Sequence, residues 1–575
     1  MIMKNMMKYI TIVLAAAFVS VGCTHFDDMN QNPYAIYETN SESFVQPMVY
    51  GALKQVAYCE YYWIGQIMQW TVSTNYENSA QLAYNYVMSE TNVSYMWNLY
   101  KQFGNAQYML DVARKECAVE GQGNPAMIGV ALVMRSWLGH MLTDTYGNTP
   151  YSKAGQIALQ GDEFEYTTPY DNQKDIYIDL LRSLEEANKC FNKAKEMKDA
   201  GALSAVDFNS ICDYMYDGNV DKWQRFGNSL YLRLLMRVSL KALEESEGII
   251  SLGEEFGDIN VVAKINEIYD SYVSGAGTYP VMRNLDDSAR LQFSSKDSAL
   301  YTSFYATTSG NWNGQAACNT LRDWMLVNYA SAEEKNPDKP WDPRYFRIFT
   351  KAFGAPTQVS REEMREYFDD HISSAGNSTI GRYTKGGYTG THVGDMKMDP
   401  KYSILNFDEI LFIFAEAGAR NWIPMGQKGY KDIYLEANRQ SIMQWQEGWD
   451  KATDYETCLI AMENFVSYLD NEFDYSRAVE TIMRQKYVAT VWVGIEGWAD
   501  YRRTGYPILK TNGDAAQNDQ ILPTRMRYPS TEAFQNAKWY AEAVNDWLGG
   551  DNNMVTDMWW ASTTESQANR RLGRK

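Results

Sequence analysis

Apolar residues recur at steps of three and four along most of the chain, which is the spacing of a helix with one buried face. The clearest stripe lies in residues 126–142 and consists of Val130, Met134, Trp137 and Met141. The same reading predicts further helices at about 43–72, 93–117, 222–243, 430–445, 475–501 and 531–547. The fold class that this pattern predicts is mainly α.

Two polar positions indicate where further helices begin. Asp171 is predicted to cap a helix whose apolar stripe ends at Phe191. Asn406 and Glu409 form a capping-box-like start for the helix that carries Phe414. Short turns between successive helices predict antiparallel pairs, and stacked pairs are typical of tetratricopeptide-like scaffolds, whose period is about 34 residues.

The middle of the chain, about 260–401, lacks this periodicity. Glycine, asparagine, serine and threonine alternate there with aromatic residues, as in Gly310-Asn311-Trp312-Asn313-Gly314. Long irregular insertions in a regular scaffold usually carry function. We therefore expect a helical scaffold at about 41–250 and 402–510, interrupted by an irregular insertion.

The N-terminus has the pattern of an export signal. Lys4 and Lys8 precede an apolar run at 10–19 that is too short to span a membrane, and small residues follow. Ser20 to Cys23 resembles a bacterial lipobox, so we expect a signal peptide at 1–22, lipidation of Cys23 and a polar tether at 23–40. The alternative is an ordinary cleavable signal with an incidental cysteine. No membrane-spanning helix is predicted elsewhere.

The composition of the chain limits the classes of partner and of site that we expect. The formal net charge of −19 argues against nucleic acid as a partner, because an acidic surface repels phosphate backbones. The six cysteines beyond Cys23 are scattered and form no Cys-x-x-Cys or zinc pattern, so we interpret them as buried thiols rather than bridges. Aromatic residues make up 14% of the chain, which suits cores and wet binding grooves alike.

Several motifs in a fixed order resemble the SusD/RagB family of outer-membrane nutrient-binding lipoproteins. They are Cys23 with Asp27-Asp28 and Asn32-Pro33; Arg135 with Asp144 to Tyr151; Lys222 to Leu230; Trp341-Asp342-Pro343-Arg344; Glu409 with Ala415-Glu416-Ala417; Glu496 to Pro507; and Arg525 to Pro529. They cover nearly all of the chain after the signal. The chain is identified as a divergent member of this family.

The resemblance implies that 41–575 is a single SusD-like domain of tetratricopeptide-like helix pairs with an irregular ligand side. It also implies attachment to the outer face of the outer membrane and a partner, a SusC-type TonB-dependent transporter. The nutrient is an oligosaccharide in the larger part of the family and a peptide in the RagB branch. The aromatic and amide residues of this chain favour the oligosaccharide.

No catalytic motif is present. The chain lacks a Gly-x-Ser-x-Gly elbow, a His-Glu-x-x-His pair and a phosphate loop, and its four histidines share no ligand spacing, so no metal or cofactor is predicted. One group of charged residues has the composition of a catalytic cluster and consists of Glu496, Asp500, Arg502 and Arg503. We interpret this group as an ion-pair network within the fold. A lipid-anchored glycoside hydrolase remains the less favoured alternative.

The ligand residues are predicted from sugar chemistry. Aromatic rings stack on the C–H faces of a sugar, and amide or hydroxyl groups pair with its hydroxyls. The candidates in this chain are Tyr76, Tyr301, Asn311, Trp312, Asn313, Arg382 and Tyr388, with Tyr305 and Gln315 beside them. Trp324 and Trp341 are expected to lie in the core instead.

Overall fold

Helices form most of the chain. In the computed structural model they are α1 (Val45–Cys59), α2 (Glu90–Trp97), α3 (Tyr100–Ala118), α4 (Pro125–Tyr146), α5 (Gln173–Asp199), α6 (Val220–Ser246), α7 (Val261–Ser274), α8 (Asn319–Met325), α9 (Arg361–Ile372), α10 (Phe407–Ala419), α11 (Gly426–Gln446), α12 (Ala452–Asn471), α13 (Ala478–Ala489), α14 (Glu496–Thr504), α15 (Ala537–Leu548) and α16 (Thr564–Leu572). The structure describes residues 39–74, 77, 82–119, 123–156, 167–292, 315–326, 340–349, 354–372, 401–446 and 452–574. Residues Ser41–Lys575 form one unit.

Successive helices pack against one another. In the first half α4 lies between α3 and α5, and α5 also contacts α6. In the second half α10 packs on α11 and on α13, and α11 packs on α12. The connections of α3 to α4 (119–124) and of α10 to α11 (420–425) are short, which is typical of antiparallel pairs. The predicted mainly α architecture of tetratricopeptide-like pairs is confirmed.

The strands are short and pair two by two in antiparallel ladders. β1 (Thr71–Ser73) pairs with β7 (Gln315–Ala317), β2 (Thr149–Pro150) with β3 (Tyr170–Asp171), β4 (Ile249–Ser251) with β5 (Asp258–Asn260), and β6 (Ala289–Gln292) with β8 (Lys401–Leu405). Two of these ladders join segments that are far apart in sequence. They organise the irregular side of the molecule.

The centre of the scaffold is α4. It begins at Pro125 behind the N-cap Asn124, whose side chain accepts a hydrogen bond from the backbone N–H of Ala126, and it is buried on every side. Its length and apolar composition are those of a helix that can cross a membrane, although no such helix was predicted from the sequence. However, 94% of its most apolar stretch is buried inside the protein. It is therefore a core helix.

Several predicted helix boundaries are wrong. The predicted helix 475–501 is broken between α13 and α14, where Trp492 adopts a left-handed backbone with a φ of 68°. The insertion is less irregular than expected, since α7 begins at Val261. The left-handed backbone at Trp492 has no local sequence signal, whereas α7 has one in the side-chain cap of Asn260 and the apolar spacing of Val261, Ile265 and Ile268.

The predicted caps are also wrong. Asn172, not Asp171, precedes α5, because the carboxylate of Asp171 accepts hydrogen bonds from the backbone N–H groups of Tyr151 and Ser152. Asn406 precedes α10 as expected, but its side chain makes no capping bond.

The five cysteines whose side chains the structure describes are all free thiols. Cys59 and Cys318 are buried, whereas Cys117, Cys190 and Cys212 are partly exposed. The expectation of thiols rather than bridges is confirmed for these five, and full burial is wrong for three of them.

Candidate ligand-binding site

Two antiparallel ladders frame the irregular side of the molecule. In the first, Ser73 of β1 lies opposite Gln315 of β7. In the second, Gln292 of β6 lies opposite Lys401 of β8. Residues that face each other in such a ladder have Cα atoms about 4.5–5.5 Å apart.

The register of these ladders pairs the described residues that flank three segments of the chain. In the first ladder Ser73, shortly before segment 75–81, faces Gln315, directly after segment 293–314. In the second ladder Gln292, directly before segment 293–314, faces Lys401, directly after segment 373–400.

All seven predicted ligand residues belong to segments 75–81, 293–314 and 373–400, and all seven lie outside the described residues. Tyr76 belongs to the first segment and Arg382 and Tyr388 to the third. The second segment contains Tyr301, Asn311, Trp312 and Asn313. The lipidation candidate Cys23 also lies outside the described residues. The assignment of these residues to a ligand therefore stays a prediction.

Gln315, which lies three residues after Trp312 in sequence, is part of the frame formed by the two ladders (β1 with β7 and β6 with β8) rather than of an open site. It lies in β7, is fully buried and is adjacent to the hydroxyl of Tyr61. A small apolar cluster includes residues of the first ladder and packs against it. The cluster consists of Val72, Leu82, Tyr84, Ala316, Cys318, Ala355, Met364 and Phe368. Two of these residues lie on α9, so the helix that leads into segment 373–400 rests on the first ladder.

Two buried glutamines attach this frame to the C-terminal part of the chain. The Nε2 atoms of Gln69 and Gln358 donate to the same carbonyl oxygen, that of Lys510, at 2.6 and 2.7 Å. Gln358 also donates to the hydroxyl of Tyr86 and accepts a hydrogen bond from the N–H of Gly513 at 2.8 Å. Both glutamines have positive φ angles, which sequence reasoning could not have found.

The predicted ion-pair network at α14 is confirmed for Glu496, Asp500 and Arg503 and is wrong for Arg502. Arg503 makes a two-pronged pair with Glu416 at 2.7 and 2.8 Å and also contacts Asp500 at 2.9 Å. Arg502 instead donates to the carbonyl oxygen of Asp144, and its guanidinium lies 3.5 Å from the ring centre of Trp498. Burial without an ion-pair partner lowers the pKa of Arg502 to about 9.

The second half of this network lies between α4, α6, α10 and α14. Arg237 bridges Asp144 and Glu496, and Arg233 pairs with Glu409 at 2.6 Å and with Glu496 at 3.3 Å. His140 of α4 contacts Glu496 at 3.4 Å. Burial by itself would raise the pKa of Glu496, but the two guanidiniums outweigh it and hold the pKa well below its usual range. These charges are buried and mutually paired, so they join helices and offer no access to a substrate.

Comparison with known proteins agrees with this architecture. A SusD-like family model, described as "Starch-binding associating with outer membrane", matches residues 33–529. A search of curated proteins finds no match. The helical scaffold with its irregular, ladder-framed side is that of an outer-membrane-associated nutrient-binding protein, and the chain belongs to the SusD-like family.

Solved structures show the same fold at low sequence identity. A SusD homologue from Parabacteroides distasonis is 21% identical with a TM-score of 0.69, covering 91% of this chain and 98% of its own. A chitin-binding SusD homologue from Flavobacterium johnsoniae is 19% identical with a TM-score of 0.66, covering 92% and 99%. A SusD homologue from Bacteroides fragilis is 19% identical with a TM-score of 0.64, covering 92% and 100%.

Proposed function

We propose that this protein is a cell-surface lipoprotein, anchored through Cys23, that binds an oligosaccharide and delivers it to a SusC-type TonB-dependent outer-membrane transporter. The observation that supports the binding role is the pairing of Ser73 with Gln315 and of Gln292 with Lys401, because these described residues flank segments 75–81, 293–314 and 373–400. These segments contain every aromatic, amide and guanidinium group predicted to contact the ligand.

Three considerations favour an oligosaccharide over a peptide. The matched family is described as starch-binding, and one structural neighbour binds chitin. Trp312 between Asn311 and Asn313 combines a ring for a sugar face with amides for its hydroxyls. Peptide capture in the RagB manner instead relies on backbone pairing along an extended strand, so peptides are the control ligands in the test below.

Replacing Trp312 with alanine is expected to weaken oligosaccharide binding at least tenfold. The loss of a stacking platform accounts for this effect, since tenfold corresponds to about 1.4 kcal/mol. Isothermal titration of the mature chain with malto-oligosaccharides, chito-oligosaccharides and mixed peptides measures it. The matched control is Trp539→Ala, because Trp539 is partly exposed and lies on α15, which is outside the three segments in sequence.

Unchanged affinity in the Trp312→Ala protein would remove this residue from the site. Binding of peptides but not of any glycan would favour the RagB-like alternative. Release of shorter sugars during the titration would instead indicate a glycoside hydrolase.

The protein is expected to co-purify with a large outer-membrane barrel when cells that express it with its neighbouring genes are extracted in mild detergent. Delivery to a transporter requires a complex that survives extraction, and affinity purification followed by mass spectrometry identifies the partner. The same purification with an unrelated lipoprotein as bait controls for membrane carry-over. Consistent recovery of the protein alone would contradict the transporter partnership.

A further inference from the structure

The described helices enclose a cavity whose lining residues differ from those predicted to contact the ligand. It is a cavity of about 280 Å³ between α8, α11, α12 and α13. Its lining consists of Asp323, Trp324, Tyr434, Phe465, Tyr468, Leu469, Glu472, Asp474, Arg477, Glu480, Thr481, Arg484 and Gln485. This lining includes no strand residue of the first ladder and no residue of segments 75–81, 293–314 and 373–400.

The cavity has an aromatic side. Trp324, Tyr434, Phe465 and Tyr468 line it, and Trp324 and Tyr468 are partly exposed rather than core residues. The prediction that Trp324 belongs to the core is therefore confirmed only in part, because its ring packs against the core but is not fully buried. The ring of Trp324 packs edge-on against the buried Tyr487, with ring centres 5.1 Å apart, so it is held in place from the core side.

Fixed polar groups line the rest of the cavity. Arg484 lies 5.8 Å from the ring centre of Trp324 and 3.5 Å from Glu480. The carbonyl oxygen of the Gln485 side chain accepts a hydrogen bond from Arg344 at 2.7 Å, and Arg344 is itself held by Asp342 at 2.7 Å. This chain of contacts orients the Gln485 amide, whose Nε2 donor has no partner among the described residues.

The mixture of groups indicates the class of ligand. Four carboxylates line the cavity and disfavour an anion, while two guanidiniums disfavour a simple cation. Hydroxyl groups both donate and accept, so they can pair with carboxylates, guanidiniums and the Gln485 amide alike. Aromatic rings with a few convergent polar groups are the usual lining of a small-molecule pocket.

We propose that this cavity is a second carbohydrate-binding site, which takes a short neutral saccharide. Its volume of about 280 Å³ lies near the lower end of the range of roughly 300–1,000 Å³ for drug-sized ligands, so it holds about one or two sugar rings. The proposal rests on the proposed function in one respect, the carbohydrate class of ligand. It adds a site on the helical scaffold, independent of the three ladder-framed segments.

Titration of the mature chain with the disaccharides maltose and N,N′-diacetylchitobiose tests this site. Trp324→Ala and Tyr468→Ala are each expected to weaken disaccharide binding at least tenfold. Two variants are used because Trp324 also packs on Tyr487, and circular dichroism establishes that each protein is folded. The matched control is Trp422→Ala: Trp422 is partly exposed and has Arg420 at 5.5 Å from its ring centre, much as Trp324 has Arg484.

Disaccharide binding at wild-type strength in a folded lining variant would overturn the second site, as would the absence of disaccharide binding in the wild-type protein. If Trp312→Ala abolishes the binding of all glycans and the lining variants do not affect it, the second site is wrong while the proposed function stands. If no glycan of any length binds, the proposed function fails as well.

Discussion

Replacing Arg237 with methionine is expected to lower the free energy of unfolding by about 3–5 kcal/mol, the usual cost of removing one partner from a buried ion pair. Arg237 is buried and contacts carboxylates on two other helices, Asp144 of α4 and Glu496 of α14. Methionine preserves the apolar volume of the side chain but leaves both carboxylates short of a partner. The shift of the urea midpoint, at unchanged slope, measures the loss.

The control for this prediction is an exposed ion pair. Arg114 pairs with Glu186 at 2.8 Å, but its side chain is 52% exposed. Arg114→Met is therefore expected to cost no more than about 1 kcal/mol. Equal midpoint shifts in the two variants would show that the buried network does not hold the helices together.

Local periodicity was sufficient to predict the scaffold. The stripe of Val130, Met134, Trp137 and Met141 correctly located α4, although that spacing predicts one buried face and α4 is buried on every side. The pairing of Glu416 with an arginine was also predictable, since a carboxylate among apolar residues needs a cation.

The ladders that frame the ligand side could not be predicted in the same way. β1 pairs with β7 across more than 240 residues, and neither three-residue strand carries enough alternation to indicate its partner. The positive φ of Gln358 and the break at Trp492 are likewise set by tertiary contacts, because glutamine and tryptophan have no local preference for left-handed backbone. The sequence predicts which segments carry ligand chemistry, and the structure adds the ladders formed by the residues that flank those segments.

Glu416 provides the second large prediction, because its effect depends on pH. Glu416 is fully buried and accepts hydrogen bonds from Arg503 at 2.7 and 2.8 Å and from Arg420 at 2.8 Å. Burial alone would raise the pKa of Glu416, but the guanidiniums outweigh it and hold the pKa well below its usual range. Glu416→Gln is expected to lower the free energy of unfolding at pH 7 by about 3–5 kcal/mol.

This loss should diminish in acid. In the unfolded chain Glu416 has a pKa of about 4.5, and in the folded protein it stays ionised at lower pH values. Its stabilisation of the folded protein is therefore complete above a pH of about 4.5 and disappears as the pH falls towards the pKa of Glu416 in the folded protein. Urea unfolding at pH 7 and at pH 3 is therefore expected to give a smaller difference between the wild-type and Glu416→Gln proteins at pH 3.

Glu463, whose exposed carboxylate pairs with Arg439 at 3.1 Å, is the control, and Glu463→Gln should have little effect at either pH. A Glu416→Gln deficit that stays constant between the two pH values would mean that packing, rather than charge, accounts for the contribution of this residue.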